Sequence, residues 1–226
     1  MKPILLFLFF LLLFPGRLLA FNTGNCHCFR HRNYDVQNKF AADDYLLTTG
    51  YNSLIAHVFA ISKRTIIMKK MKGGINGDDL VIGLYIQEKT GKPLDLLLSV
   101  WDNGGSWQQI AAAAGGGQAG SNDPIMAAIA AGDNRTTVHR MITDFMLKSR
   151  YSCPQTTIAQ LRSSGLTGKK INLLLAFHEQ TGASLKKLGA MITGQKMSWS
   201  EVAHHFGLTP KDVGQQILKG ANPQLR

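Results

Sequence analysis

The residues best placed to do chemistry sit near the front of the chain, in "CHCFRHRNYD". Cys26 and Cys28 flank His27, with His31 nearby. Thiolate and imidazole ligands at this density suit a soft metal ion such as zinc or copper. A structural zinc site takes four ligands, and Cys26, His27, Cys28 and His31 are the only four close together here. The C-x-x-C-H spacing of c-type haem attachment is absent. In an oxidising compartment the competing outcome is a disulfide. A Cys26–Cys28 bridge would close a tight, strained ring. Cys153 could instead bridge to either of them, leaving one odd thiol. Cys153 directly precedes Pro154 at an expected helix start, a position that lowers a thiol pKa if the cysteine stays reduced.

Other chemistry is thin, and no catalytic residues are assigned. Gly91-Lys92 lacks the rest of a phosphate-binding loop, because Ile86 stands where the first glycine belongs and Pro93 where the Ser/Thr belongs. G-x-S-x-G and H-E-x-x-H are absent. Asp78-Asp79 reads as a helix start, since the matching residues later in the chain are Lys169-Lys170. His204 and His205 are adjacent, so they point to different helix faces. The densest basic cluster is Lys63, Arg64, Lys69, Lys70 and Lys72. It reads either as a solvated helix face or as a patch for an anionic envelope polymer or lipid.

Charge points the same way. Lys and Arg outnumber Asp and Glu by 25 to 14, a formal net charge of +11 over 226 residues. Such a balance favours anionic partners. At the N-terminus, Lys2, the apolar run Ile4 to Phe14, the break at Pro15-Gly16 and the small residue at Ala20 form the three parts of a secretory signal. The run is too short to cross a bilayer core of about 30 Å. Export to the periplasm or the extracellular envelope is expected, with retention as an anchor the alternative. The expected partners are a protein or an anionic envelope component, and a membrane surface is compatible with the charge. No cofactor is expected beyond a soft metal ion at the Cys-His-Cys stretch.

The elements that must carry these residues are helical. "QEKTGKPLDLLLSVWDNGGSWQQIAAAAG" and "HEQTGASLKKLGAMITGQKMSWSEVAHHFG" match at an offset of about 91 residues, growing by one before the Ser-Trp pair. Thr90, Gly91, Trp107, Ala111 and Gly115 pair with Thr181, Gly182, Trp199, Ala203 and Gly207. The glycines follow apolar-periodic runs, as helix-ending residues do. Ser106 with Gln109, and Ser198 with Glu201, have the spacing of capping boxes. An all-α fold is expected, with two modules of short helices from an internal duplication. The expected divisions are a signal at 1–20, a Cys/His-containing arm at 21–42, a first module at 43–115, a flexible Gly/Ala-rich join at 116–133, and a second module at 134–226.

The second module ends in "SWSEVAHHFGLTPKDV". Ala203, Gly207, Leu208 and Val213 stand where a helix-turn-helix needs its crossing, turn and packing residues, and Thr209, Pro210 and Asp212 cap the second helix. The stretch resembles the helix-turn-helix of bacterial DNA-binding proteins. Its second helix is expected to expose Lys211, Asp212, Gln215, Gln216 and Lys219, a mildly basic face. In the first module, "GGQAGSN" lengthens the turn, so no second helix is expected to dock there. An exported protein rarely meets an operator, and nucleic acid is disfavoured as a partner.

A second likeness covers more of the chain. The pattern "TG…L…G-x-SW-x-x-[IV]-A-x-x-x-G", together with "CHCFRHRNYD" and "AADDYLLTTGYNSLIAHVF", resembles functionally uncharacterised exported proteins of Gram-negative bacteria. That resemblance implies envelope placement and an all-α fold, and it brings no catalytic residues. The function expected is an exported, basic, α-helical binding or structural protein of the envelope. The alternatives are a helix-turn-helix regulator, if the N-terminus is not a signal, and a thiol or metal protein centred on Cys26, His27 and Cys28.

Overall fold

The computed structural model describes residues 33–115 and 122–219. The expected signal, and Cys26, His27, Cys28 and His31, lie outside the described residues. The fold is all-α. Its helices are α1 (Asp43–Val58), α2 (Lys63–Lys72), α3 (Gly77–Thr90), α4 (Leu94–Asp102), α5 (Trp107–Ala113), α6 (Pro124–Ala131), α7 (Arg135–Tyr151), α8 (Gln155–Ser163), α9 (Gly168–Thr181), α10 (Leu185–Gly189), α11 (Trp199–His205) and α12 (Pro210–Ile217). No strand occurs among the described residues.

Local chemistry explains the boundaries. Ser106 and Ser198 each accept from the N–H three residues on, and Gln109 and Glu201 reach back to the cap N–H, completing both capping boxes. Thr209 and Asp212 do the same for α12. The Thr-Gly pairs end α3 and α9 identically. Thr90 and Thr181 donate their hydroxyls to Ile86 and Phe177 carbonyls at 2.7 Å, and Gly91 and Gly182 turn left-handed at φ 68° and 69°. A side chain is disfavoured in that conformation, and glycine is not. Between α10 and α11 runs a π-helical turn, Ala190–Gly194. It falls in the interval where the sequence offset grows by one, and the wider hydrogen-bonded ring of a π turn holds an extra residue.

One expectation is corrected here. The stretch 116–133, read as a flexible join, contains α6, which packs on α5 and buries Ile125, Met126, Ala128 and Ile129. A second helix therefore does dock behind "SWQQIAAAAG". Its start signal was the Asp123-Pro124 pair: the Asp123 carboxylate accepts from Ile125 and Met126 N–H at 2.9 and 3.1 Å. The alanines and glycines before it hid that signal.

Packing crosses the two halves of the sequence. The central turns of α3 and α9, Asp79 to Ile86 and Ile171 to Phe177, are buried on every side and largely apolar, as the middles of core helices are. The first helix of each half lies against the other half: α1 packs chiefly on α12 and α9, and α7 chiefly on α3 and α1. Most of the buried apolar side chains form one continuous core. Trp107, Trp199, Ala111 and Ala203 are all buried in it.

Polar ties hold this exchange in place. The Asp43 carboxylate, at the start of α1, accepts from the N–H groups of Trp199 and Ser200 at 3.2 and 2.8 Å, so it caps α11 from outside. Arg150 on α7 reaches the end of α12. Asp79, 3% exposed, accepts from the Trp107 indole N–H and from Arg135, both at 2.9 Å. It ties α3 to α5 and α7, a duty not expected of a helix-start residue. Asp79→Asn is expected to lower stability by about 1–2 kcal/mol, because the charge-assisted bonds become neutral ones. Urea unfolding followed by tryptophan fluorescence measures this. An unchanged midpoint would show that the tie contributes nothing.

Candidate anion-binding groove

The five basic residues of the α2 cluster do not form one face. Lys70 is buried and donates to the Asn52 side-chain oxygen at 2.8 Å, and burial pushes its pKa down to about 8. Lys69 pairs with Asp95. Arg64 and Lys72 are exposed. Lys63, at the first helical position, turns instead toward α12.

There it enters a groove of 440 Å³ lined by Tyr45 and Thr49 of α1, Lys63 of α2, Lys211 and Gln215 of α12, and the following Leu218 and Lys219. The groove exists because α1 and α12 approach closely. A Cβ on Gly214 would stand 2.9 Å from the Thr49 methyl and 3.3 Å from Lys63 Nζ, so the bare glycine makes room for both.

Three lysines line this groove and no carboxylate does. None of the three forms an ion pair among the described residues. The carboxylates that feel Lys211 and Lys219 are committed elsewhere, Asp212 to its own cap and Glu179 to Arg150. Burial pushes Lys63 down to about 8. Beside it, the hydroxyls of Thr49 and Ser53 are buried without a hydrogen-bond partner. Buried polar groups are ordinarily paired. A like-charged, recessed, under-satisfied site of this kind fits an anion.

The charge state of Lys63 sets a pH dependence. Its ammonium is present below about pH 8 and lost above it, while ordinary lysines stay charged to about 10.4. Anion affinity should therefore fall as pH rises through 8. A bound anion raises the Lys63 pKa, so binding near pH 8.5 should take up a proton. Titration calorimetry in two buffers of different ionisation heat detects this. Identical apparent enthalpies would rule it out.

The other sequence-derived residues lie elsewhere. Cys153 is buried and forms no disulfide among the described residues, and burial pushes its thiol pKa up, the reverse of the expected helix-start effect. Its proposed bridging partners lie outside the described residues. His204 stacks on Tyr34 at 4.3 Å and His205 meets Phe206 edge-on. Among the described residues no group of three or more His, Cys, Asp or Glu is arranged to hold a metal. In the helix-turn-helix-like hairpin, α12 docks on α1 and buries Val213, Gln216 and Ile217. Gln216 is thus buried, against expectation. Lys211, Gln215 and Lys219 remain exposed, and they face the groove.

A second cleft, of 590 Å³, opens where α1, α3, α7 and α9 meet. The Tyr51 hydroxyl bonds His139 Nε2 at 2.8 Å and Thr143 Oγ1 at 3.0 Å, and the same Nε2 lies 3.4 Å from Asp78. Burial lowers the His139 pKa, against the opposing pull of the Asp78 carboxylate.

Sequence reasoning found Lys63, Lys211 and Lys219 but placed them in two unrelated motifs, and it missed Tyr45 and Thr49. The available signal was Gly214. A glycine inside a helix costs about 1 kcal/mol and marks a close approach. Compared with known proteins, the chain matches no family model, no curated protein and no solved structure.

Proposed function

We propose that this is an exported, basic, α-helical binding protein of the cell envelope, and that the α1–α2–α12 groove takes an anionic component. The observation that carries this reading is the set of three lysines on one groove without an acid among its lining residues. The N-terminal signal-like segment supports export. Among the described residues no helix is long and apolar enough to cross a membrane. We take the two halves as copies of one helical module, which accounts for their matching caps and helix stops.

Two measurements test the proposal. Intact mass of the envelope-fraction protein should lack residues 1–20, and a full-length cytoplasmic product would overturn export. Wild-type protein should bind inorganic polyphosphate in a salt-sensitive way, and a Lys63→Glu, Lys211→Glu, Lys219→Glu variant should not. Equal binding by both would move the anion site off the groove. Tighter binding to duplex DNA than to polyphosphate would favour the regulator reading instead.

A further inference from the structure

We infer that the groove's occupant is an amphipathic anion, a phosphate or carboxylate head on a single apolar chain, taken up as a monomer. This rests on the anion-binding reading above and adds the class of ligand. The volume of 440 Å³ is that of a small-molecule site. Its walls are of two kinds. Tyr45, Leu218, the Thr49 methyl and the lysine stems give apolar surface, and long lysine stems commonly cover such surface while their heads reach out. Leu218 is 5% exposed and Thr49 3%.

The polar features have a depth order. Lys211 and Lys219 are exposed at the rim, whereas Lys63 is recessed beside the Thr49 and Ser53 hydroxyls that lack partners. Tyr51 and Asn52 on the same helix are satisfied, by His139 and Thr143 and by Lys70, while the Nδ1 of His57 in its last turn is, like the two hydroxyls, buried without a partner. A head placed at Lys63 would accept from the ammonium, with the Thr49 methyl beside it. A polymer lying across the rim would reach Lys211 and Lys219 and leave Lys63 unmet. A bare inorganic anion would meet Lys63 and leave the apolar walls wet. A lipid held in a bilayer carries its chain away from its head, into the membrane. Here the apolar walls and the lysines belong to one groove, so head and chain enter together.

The test is a chain-length series of monoalkyl phosphates, methyl to octyl, kept below their critical micelle concentrations and titrated calorimetrically into the mature protein. Affinity should rise about three- to fourfold per methylene until the groove is filled. Lys63→Glu should abolish the binding while leaving the circular dichroism melt cooperative. Should that variant fail to fold, Lys63→Met supplies the readout: it keeps the stem, removes the charge, and should weaken every member of the series by a similar factor. Equal affinities for methyl and octyl phosphate would overturn the amphiphile while leaving anion binding intact. Octanol binding as tightly as octyl phosphate, or tighter binding to phosphatidylglycerol vesicles than to monomers, would also overturn it. Absence of binding by polyphosphate and by every alkyl phosphate would remove both readings.

Discussion

Arg150→Met should lower the stability of the protein by about 3 kcal/mol, the largest single-residue effect expected outside the apolar core. Arg150 has a side chain only 6% exposed. Its Nε donates to the Ile217 carbonyl at 2.6 Å and one Nη to the Gln216 carbonyl at 2.8 Å. These are among the last carbonyls of α12, which have no partner within the helix. A guanidinium there also faces the negative end of the helix dipole. The same side chain bonds both Glu179 oxygens, at 3.2 and 2.8 Å, and lies 4.8 Å from the Tyr151 ring. Three helices, α7, α9 and α12, therefore meet on one residue.

Methionine keeps the stem and removes every donor, so the carbonyls stay buried and unpaired. A drop in melting temperature of about 6–12 °C should follow for a chain of this size. Glu179→Gln should cost far less, because Glu179 is 39% exposed and water screens it. The double variant should be little worse than Arg150→Met alone. A melting temperature for Arg150→Met indistinguishable from wild type would show that the contacts carry no weight. Acid should echo the substitution. Burial pushes the Glu179 carboxyl up, but hydrogen bonds and charge from Arg150 outweigh that and hold it below the usual range. A depressed carboxylate stabilises the fold at neutral pH, and the contribution is lost as pH falls below the ordinary glutamate value.

The second large effect concerns binding. Lys63→Glu should weaken octyl phosphate binding by about 100-fold or more, since a like charge set against a recessed anion costs several kcal/mol. Lys63→Met is more informative. It removes the charge and keeps the stem, so binding should fall about tenfold, near the value of one charge-assisted hydrogen bond. Its stability should rise or stay level, because a desolvated ammonium without an acceptor disfavours the folded state. Opposite signs for stability and affinity are the mark of a residue held in place for a ligand. Loss of stability with binding retained would make Lys63 a structural residue and empty the groove of function.

Much of this molecule was legible because it is written in short-range chemistry. The cap pairs Ser106–Gln109, Ser198–Glu201 and Thr209–Asp212 span three residues each. The Thr-Gly helix ends need only a hydroxyl, a carbonyl four residues back and a glycine. Helix α6 escaped notice although its cap was just as local, because an Ala- and Gly-rich approach read as a loop. The thiol of Cys153 was misjudged for a different reason. Sequence places it beside a helix start, but only packing buries it, and burial raises a thiol pKa.

The sequence by itself determined the all-α class, the places where helices begin and stop, and the excess of positive charge. Each follows from contacts within about four residues or from composition. Only the tertiary structure decided that α1 lies on α12, that Lys70 goes inward while Lys63 meets Lys211 and Lys219, and that Arg150 closes α12. Those choices are made between residues far apart in the chain, by which surfaces fit at close range. A glycine at 214 permits that fit, and the spacing of residues along the chain does not encode it.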